Sequence, residues 1–388
     1  MARLGLGKSW KCIFANEWCE KKACTYRAYF GASPELRVED VANLSVNDLP
    51  GQPDLVWASF PCQDLSLAGS GAGLDGERSG TFKPFWRLVS GLVRGQREPS
   101  LIVLENVVGT LTSHEGRDFT AIVQAFAGIG YKVGAIVMDA VRFLPQSRPR
   151  LFFIGLRAEI EIEDYFACPG PSPCWHPRTL VRAVDNLPVS LKPRWVWWDL
   201  PVPCGQIPSL DALIEKIPTG TQWHSEAETK KILALMGPLH RRKVADVRML
   251  PGRHIGTIYK RTRPNGGGIM EQRAEVRFDG ISGCLRTPVG GSSRQTVIIV
   301  ENGSIRTRLL SPREAARLMG VPDDYSLAAR YNEAYHVFGD GVAVPVVSWL
   351  EEHLLHPLAI RTTKERVVPR DAINIERQSR IENRRATY

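Results

Sequence analysis

Leu101-Ile102-Val103-Leu104 runs directly into Glu105-Asn106-Val107. A short apolar run that ends in a carboxylic acid and an amide predicts a buried strand with chemistry at its C-terminal end. Upstream, Asp54-Leu55-Val56-Trp57-Ala58 has the same form and leads into Ser59-Phe60-Pro61-Cys62-Gln63. Downstream, Lys132 to Val137 and Leu151 to Leu156 read as two more strands. The second is preceded by Pro145-Gln146-Ser147-Arg148-Pro149-Arg150. Amphipathic stretches at Phe85 to Val93 and Phe119 to Ala127 lie between them. This alternation predicts a doubly wound α/β sheet. Such sheets gather ligands at their mouth, outside the strand ends, where all three polar segments are expected.

From about Asp164 the pattern changes. Proline, tryptophan and glycine become dense, as in Cys168-Pro169-Gly170-Pro171 and Arg194-Trp195-Val196-Trp197-Trp198, and an irregular second lobe is expected to about Cys284. A helix is predicted over Ser311 to Met319, with Ser311 as cap, Pro312 in the first turn and Glu314 at the third position. Val344 to Leu355 reads as a further helix, and the polar chain from about Arg361 as a loose or helical appendage. The sequence shows no internal repeat.

The 388 residues suit one large domain or two moderate ones. No apolar run reaches membrane-span length and no signal peptide is read, so a cytoplasmic protein is expected. The eight cysteines include no C-x-x-C pair, which argues against a disulfide framework. Cys168, Cys174, His176 and Cys204 fit no usual zinc spacing, so no metal is expected. The formal net charge is +9, and Arg241, Arg242, Lys243, Arg248, Arg253, Lys260, Arg261 and Arg263 lie close together. Nucleic acid is the first partner such a cluster suggests.

Each polar segment has a chemical reading and a plain one. Cys62, behind a rigid proline, is a candidate nucleophile. With a free thiol pKa of about 8.5 it needs nearby cations to become thiolate. A lone cysteine is more commonly a buried structural residue. Glu105 can protonate a ring nitrogen when burial raises its pKa, or simply cap a helix. Arg148 and Arg150, at alternate positions of an extended chain, can point the same way and bind a carbonyl or phosphate, or form a solvated basic loop.

Taken together the segments resemble the DNA cytosine-5 methyltransferases, whose motifs Pro-Cys-Gln, Glu-Asn-Val and Gln-x-Arg-x-Arg occur here in the family's order. The resemblance runs from the first residues to about Leu355. It takes in Gly76 to Phe82, Arg286-Thr287-Pro288, Ser311 to Gly320, and Phe338 to Pro345, where Asp340 replaces the usual Asn. It implies an S-adenosylmethionine-dependent methyltransferase with a Rossmann-like sheet and a smaller target recognition lobe. The implied boundaries are 1–162 and 284–355 for the catalytic lobe, 163–283 for the recognition lobe, and 356–388 for a charged tail.

By the same resemblance Cys62 adds to C6 of cytosine. Glu105 holds N3 and the exocyclic amine, Arg150 holds O2, and Arg148 and Asn106 brace the nucleophile loop. Phe60, Pro61, Gln63 and Gln146 complete the substrate side. Glu17 takes the cofactor ribose, Trp18 stacks on adenine, and Asp40 with Val41 reads the adenine edge. Asp340 and Val342 cover the cofactor. The target base is flipped from a double-stranded DNA substrate, and the loop Ser70 to Arg78 closes over it. A monomer is expected, with a cognate restriction endonuclease as a possible companion. The family's first strand and its Phe-x-Gly-x-Gly turn are not in the sequence, so two open strand edges and weak cofactor binding are expected. The competing readings are a tRNA methyltransferase with the same catalytic set and a non-catalytic DNA-binding protein.

Overall fold

The computed structural model describes residues 1–60, 79–264, 267–287, 293–328 and 330–367. Pro61, Cys62 and Gln63 lie outside the described residues. So do the loop Ser70 to Arg78, Asn265, Gly266, Pro288 and residues 368–388.

The chain opens with α1 (Ala2–Leu6), β1 (Ala15–Glu17), α2 (Glu20–Phe30) and β2 (Leu36–Val38). There follow β3 (Leu55–Ser59), α3 (Phe82–Arg94), β4 (Leu101–Val107), α4 (Arg117–Gly128), β5 (Tyr131–Asp139) and β6 (Pro149–Arg157). The four predicted strands are thus present, β3 shifted by one residue and the other three extended by one to three residues at one or both ends. Their order in the main sheet is β3-β4-β6-β5. β3 runs parallel to β4, while β6 runs antiparallel to both β4 and β5.

The sheet is covered on both faces, which is why its central strands are continuously apolar. Leu101 and Val103 enter one core, and Ile102 and Leu104 the other. α4 buries Phe119, Ile122, Val123 and Phe126 on that second face, the helical spacing that predicted it. β1 and β2 pair parallel with each other and with no strand of the main sheet among the described residues. Among the described residues β3 likewise has a partner strand on one side only. α1 lies against α11 (Val344–Leu350), where Ser348 Oγ donates to the Gly5 carbonyl at 3.1 Å.

The region after β6 departs from the expected single irregular lobe. β7 (Ala167–Cys168) and β8 (Trp197–Trp198) pair with each other, with α5 (Arg178–Asp185) between them. Val196 N donates to Val133 O at 2.9 Å and Val137 N to Trp175 O at 2.8 Å. The tryptophan-rich chain therefore covers the free edge of β5, and Trp175 and Trp198 are fully buried in the main core. An open edge and two large indoles each satisfy the other's need for cover.

The second lobe continues through α6 (Leu210–Leu213), α7 (Glu226–Ala234) and α8 (Pro238–Arg248). It then forms a four-stranded antiparallel sheet from β9 (Arg253–Pro264), β10 (Met270–Arg277), β11 (Thr296–Glu301) and β12 (Ser304–Leu309), in the order β10-β9-β11-β12. A boundary at residue 283 would cut this sheet, because β11 pairs with β9 over Thr296–Glu301. β11 serves two cores: Val297 and Ile299 face the main one, Ile298 and Val300 a smaller one closed by Ile232, Met236 and Val244.

α9 (Pro312–Leu318) starts with the predicted cap, Ser311 Oγ accepting from Glu314 N. α10 (Tyr331–Asp340) precedes α11, which loosens into a π-helical turn at Glu351–Leu355 and resumes as α12 (His356–Val367). Leu358 and Ala359 still belong to the main core, so that core continues past residue 355.

Two residues test this packing. A Cβ at Gly155 would lie 2.3 Å from the Phe126 ring, so Gly155→Ala should cost about 1–3 kcal/mol in urea unfolding through overpacking. His176 is buried, with Nδ1 accepting from Ser172 N at 2.8 Å. Burial lowers its imidazole from 6.5 to about 4, against the pull of Asp199. Between those values the unfolded chain binds a proton that the folded protein refuses. Stability is therefore full above about pH 6.5 and falls as pH drops towards 4. The urea midpoint of His176→Gln should fall less steeply across that window.

Candidate active site

The antiparallel pairing of β4 and β6 assembles the site. It sets Glu105 opposite Phe152 and Val107 opposite Arg150. The start of β6 therefore lies beside the end of β4, although the two segments are about 45 residues apart along the chain. Glu105 and Arg150 meet there, Arg150 Nε lying 3.0 Å from Glu105 Oε1, both side chains largely buried. On the other side of β4, Ser59 at the end of β3 is in register with Glu105. Phe60 follows, 8% exposed and packed on Phe82 at 5.5 Å. The chain enters the Pro61-Cys62-Gln63 segment from this point.

Asn106 is buried beside Glu105. Its Oδ1 accepts from Val107 N, and its Nδ2 has no hydrogen-bond partner among the described residues. Gln146 and Arg148 turn inward. Gln146 is fully buried, with Nε2 donating to Leu318 O at 2.5 Å and Oε1 accepting from Leu285 N at 3.1 Å. Arg148, 1% exposed, donates to Leu285 O at 2.6 Å, Gly339 O at 2.9 Å and Gly341 O at 2.5 Å. Of the two motif arginines, Arg148 binds the protein's own backbone and Arg150 the carboxylate at the mouth.

Cys284 joins this group, unmarked by the sequence except for its place two residues before Arg286. Arg148 Nη1 lies 3.4 Å from its Sγ. Burial pushes the thiol up, but the guanidinium groups of Arg148, Arg150 and Arg286 outweigh it and hold the thiol below its ordinary range. The three guanidinium groups thus make the surroundings of Cys284 electropositive.

A second group of predicted residues collects at the parallel ends of β1 and β2. Glu17 and Trp18 leave β1, and Asp40 and Val41 leave β2 next to it. Glu17 Oε1 accepts from Cys19 N at 2.9 Å, and Asp40 Oδ1 from Ala42 N at 2.8 Å. The Trp18 ring is 76% exposed. Asp340 reaches the same end through Lys22, at 2.7 Å, and Val342 is buried behind it. A cavity of about 360 Å³ opens between the start of α2 and α10, lined by residues that include Cys19, Lys22, His336 and Asp340 but by none of Glu17, Trp18, Asp40 and Val41. An exposed aromatic face and two carboxylates at adjacent strand ends are groups that suit an adenosine. Among the described residues no group of His, Cys, Asp or Glu could hold a metal ion.

The model of the C-5 cytosine-specific DNA methylase family matches residues 2–356. The chain belongs to that family. Among curated relatives, the methylase is 28% identical over 347 residues to the type II methyltransferase M.BsuFI of Bacillus subtilis, covering 89% of this chain and 67% of that protein. It is 26% identical over 341 residues to M.HhaI of Haemophilus parahaemolyticus, covering 88% and 86%. Among solved structures, the methyltransferase EhMeth of Entamoeba histolytica shares the fold, with a TM-score of 0.55, 12% identity, and 89% and 90% of the two chains covered. So does the Dnmt2 methyltransferase of S. pombe, with a TM-score of 0.53, 14% identity, and 90% and 91% covered.

The placement of Arg148 makes a testable distinction within the methylase motif. Removing its guanidinium orphans three buried or part-buried carbonyls. Arg148→Met should therefore lower unfolding stability by about 2–4 kcal/mol in urea titrations.

Proposed function

We propose that this methylase transfers a methyl group from S-adenosylmethionine to C5 of a cytosine flipped out of a specific duplex DNA sequence. The Glu105–Arg150 pair beside the end of β3 carries the reading. It sets a proton donor or acceptor and a planar cation at one strand mouth, next to the segment that bears Cys62.

In this mechanism the Cys62 thiolate adds to C6, and the electron pair moves towards N3 and C5. Glu105 holds the proton at N3 and the exocyclic amine, while Arg150 holds O2. S-adenosylmethionine supplies an electrophilic methyl group when bound. After C5 is methylated, a base removes its proton and the Cys62–C6 bond breaks, returning the thiolate. Flipping costs about a few kcal/mol of unstacking. Glu17, Trp18, Asp40, Val41, Asp340 and Val342 hold the cofactor. Phe60, Pro61, Gln63 and Asn106 shape the substrate side, with Gln146 and Arg148 bracing it from within.

The basic cluster meets DNA phosphates through its uncommitted members. Arg241 and Arg248 cap backbone carbonyls, Arg253 pairs with Asp211 and Arg261 with Glu275. Arg242 and Lys243 are exposed on α8 and make no ion pair among the described residues. No helix among the described residues is long and apolar enough to cross a membrane, which is compatible with a monomeric enzyme working in the cytoplasm, with or without a companion endonuclease.

The purified protein should incorporate labelled methyl groups into duplex DNA and not into tRNA. It should form a denaturation-resistant adduct with duplex DNA carrying 5-fluorocytosine. Cys62→Ser should abolish both, and Glu105→Gln should slow methylation by about 10²–10⁴-fold. DNA binding with no adduct would identify a non-catalytic DNA-binding protein instead.

A further inference from the structure

The strand ends that carry Glu17 and Trp18 belong to a two-stranded sheet that shares no strand pairing with the main sheet among the described residues. Side chains must therefore set the distance between these ends and the rest of the site. Two lysines in the first turns of α2 reach α10. Lys21 Nζ lies 3.0 Å from Glu333 Oε1, and Lys22 Nζ 2.7 Å from Asp340 Oδ2.

The second contact ends on a junction. The other oxygen of Asp340 accepts from Thr287 Oγ1. The carbonyls on either side, of Gly339 and Gly341, accept from Arg148. The turn presses on the 286–287 backbone so closely that a Cβ at Gly339 would lie 2.6 Å from Thr287 N. Lys22 also feels the Glu17 carboxylate. Burial would lower its ammonium pKa, but Asp340 and Glu17 outweigh that and raise it.

We propose that Lys22 is a positioning residue of this methylase: by gripping Asp340 it fixes the Glu17–Trp18 strand end against the junction made by Arg148 and Thr287. Position 340 is where this sequence carries Asp in place of the family's usual Asn. An Asn still accepts from Thr287 but gives Lys22 no charge, so the acid and the lysine act as a pair. The inference rests on the proposed cofactor role of the 17–18 and 340–342 segments.

The test uses the full chain with Lys22→Met, Asp340→Asn, the double variant, and Lys22→Arg as the conservative control. Native-state amide exchange of α2, without cofactor, should quicken about two- to fivefold in both single variants, the size expected of a part-exposed ion pair. The double variant should be no worse than either, Lys22→Arg should match the parent, and 0.5 M salt should narrow the differences. Calorimetric Kd values for S-adenosylmethionine should rise with the same ranking, and Lys22→Arg should keep the parent's Kd. Unchanged exchange in both single variants overturns the inference, as does faster exchange with an unchanged Kd. A parent protein that binds no S-adenosylmethionine overturns the cofactor reading itself, a different result from either.

Discussion

The guanidinium of Arg148 holds backbone carbonyls from Leu285, Gly339 and Gly341, stretches 137 to 193 residues away in the chain. Buried carbonyls cannot be left unpaired without a cost comparable to a lost hydrogen bond each. One planar cation with five donors in a fixed fork meets all three, which a lysine ammonium on a flexible stem cannot reproduce in the same geometry. Arg148 thereby ties the start of β6, the segment before β11 and the turn after α10 into one body. Arg150, two residues on, is held on the far side of that anchor and meets Glu105. The motif divides its labour: one arginine holds the protein together and the other reaches the mouth.

That arrangement depends on strand direction. Had β6 run parallel to β4, its start would lie at the opposite end of the sheet from Glu105, and the motif arginines would be about one strand length from the site. The antiparallel register brings Val107 opposite Arg150 and leaves Glu105 as its diagonal neighbour on the same face. The parallel pairing of β3 with β4 then adds the Ser59–Phe60 end on the other flank. Three motifs distant in sequence become neighbours through two strand pairings of opposite sense.

Much of this was legible locally. The four main strands, the amphipathic α4 and the capped start of α9 each announce themselves within a dozen residues, because apolar period and cap chemistry are local rules. What was not legible is long-range. Nothing near Gln146 or Arg148 says that their polar atoms will be spent on Leu318, Leu285, Gly339 and Gly341. The strand pairing that spans residue 283 was not legible for a related reason. Thr296–Glu301 is apolar at consecutive positions because its two faces serve two cores, and a fully buried strand carries no mark of which sheet it joins. The Trp195–Trp198 stretch read as irregular because its partner, the edge of β5, lies about 60 residues earlier. Cys62, on which the chemical reading turns, lies outside the described residues, which stop two positions before it at Phe60.

Charge shows how far composition can mislead. A net +9 and a run of eight basic residues suggest one continuous phosphate-binding face. In the fold, Arg241 and Arg248 close helix and turn carbonyls, and Arg253 and Arg261 face carboxylates. An arginine whose donors are spent on carbonyls still contributes to the long-range field that draws DNA in, but it cannot also grip a phosphate closely. The cluster therefore does two separable things. Under the proposed function its summed charge steers the approach of a polyanion, and its exposed members without an ion pair among the described residues, Arg242 and Lys243, are the candidates for close contacts. The same division runs through the candidate site, where Arg148 supplies structure and field together while Arg150 pairs with Glu105. In both places, burial and hydrogen-bond partners, more than the number of cations, determine which of them can meet the substrate.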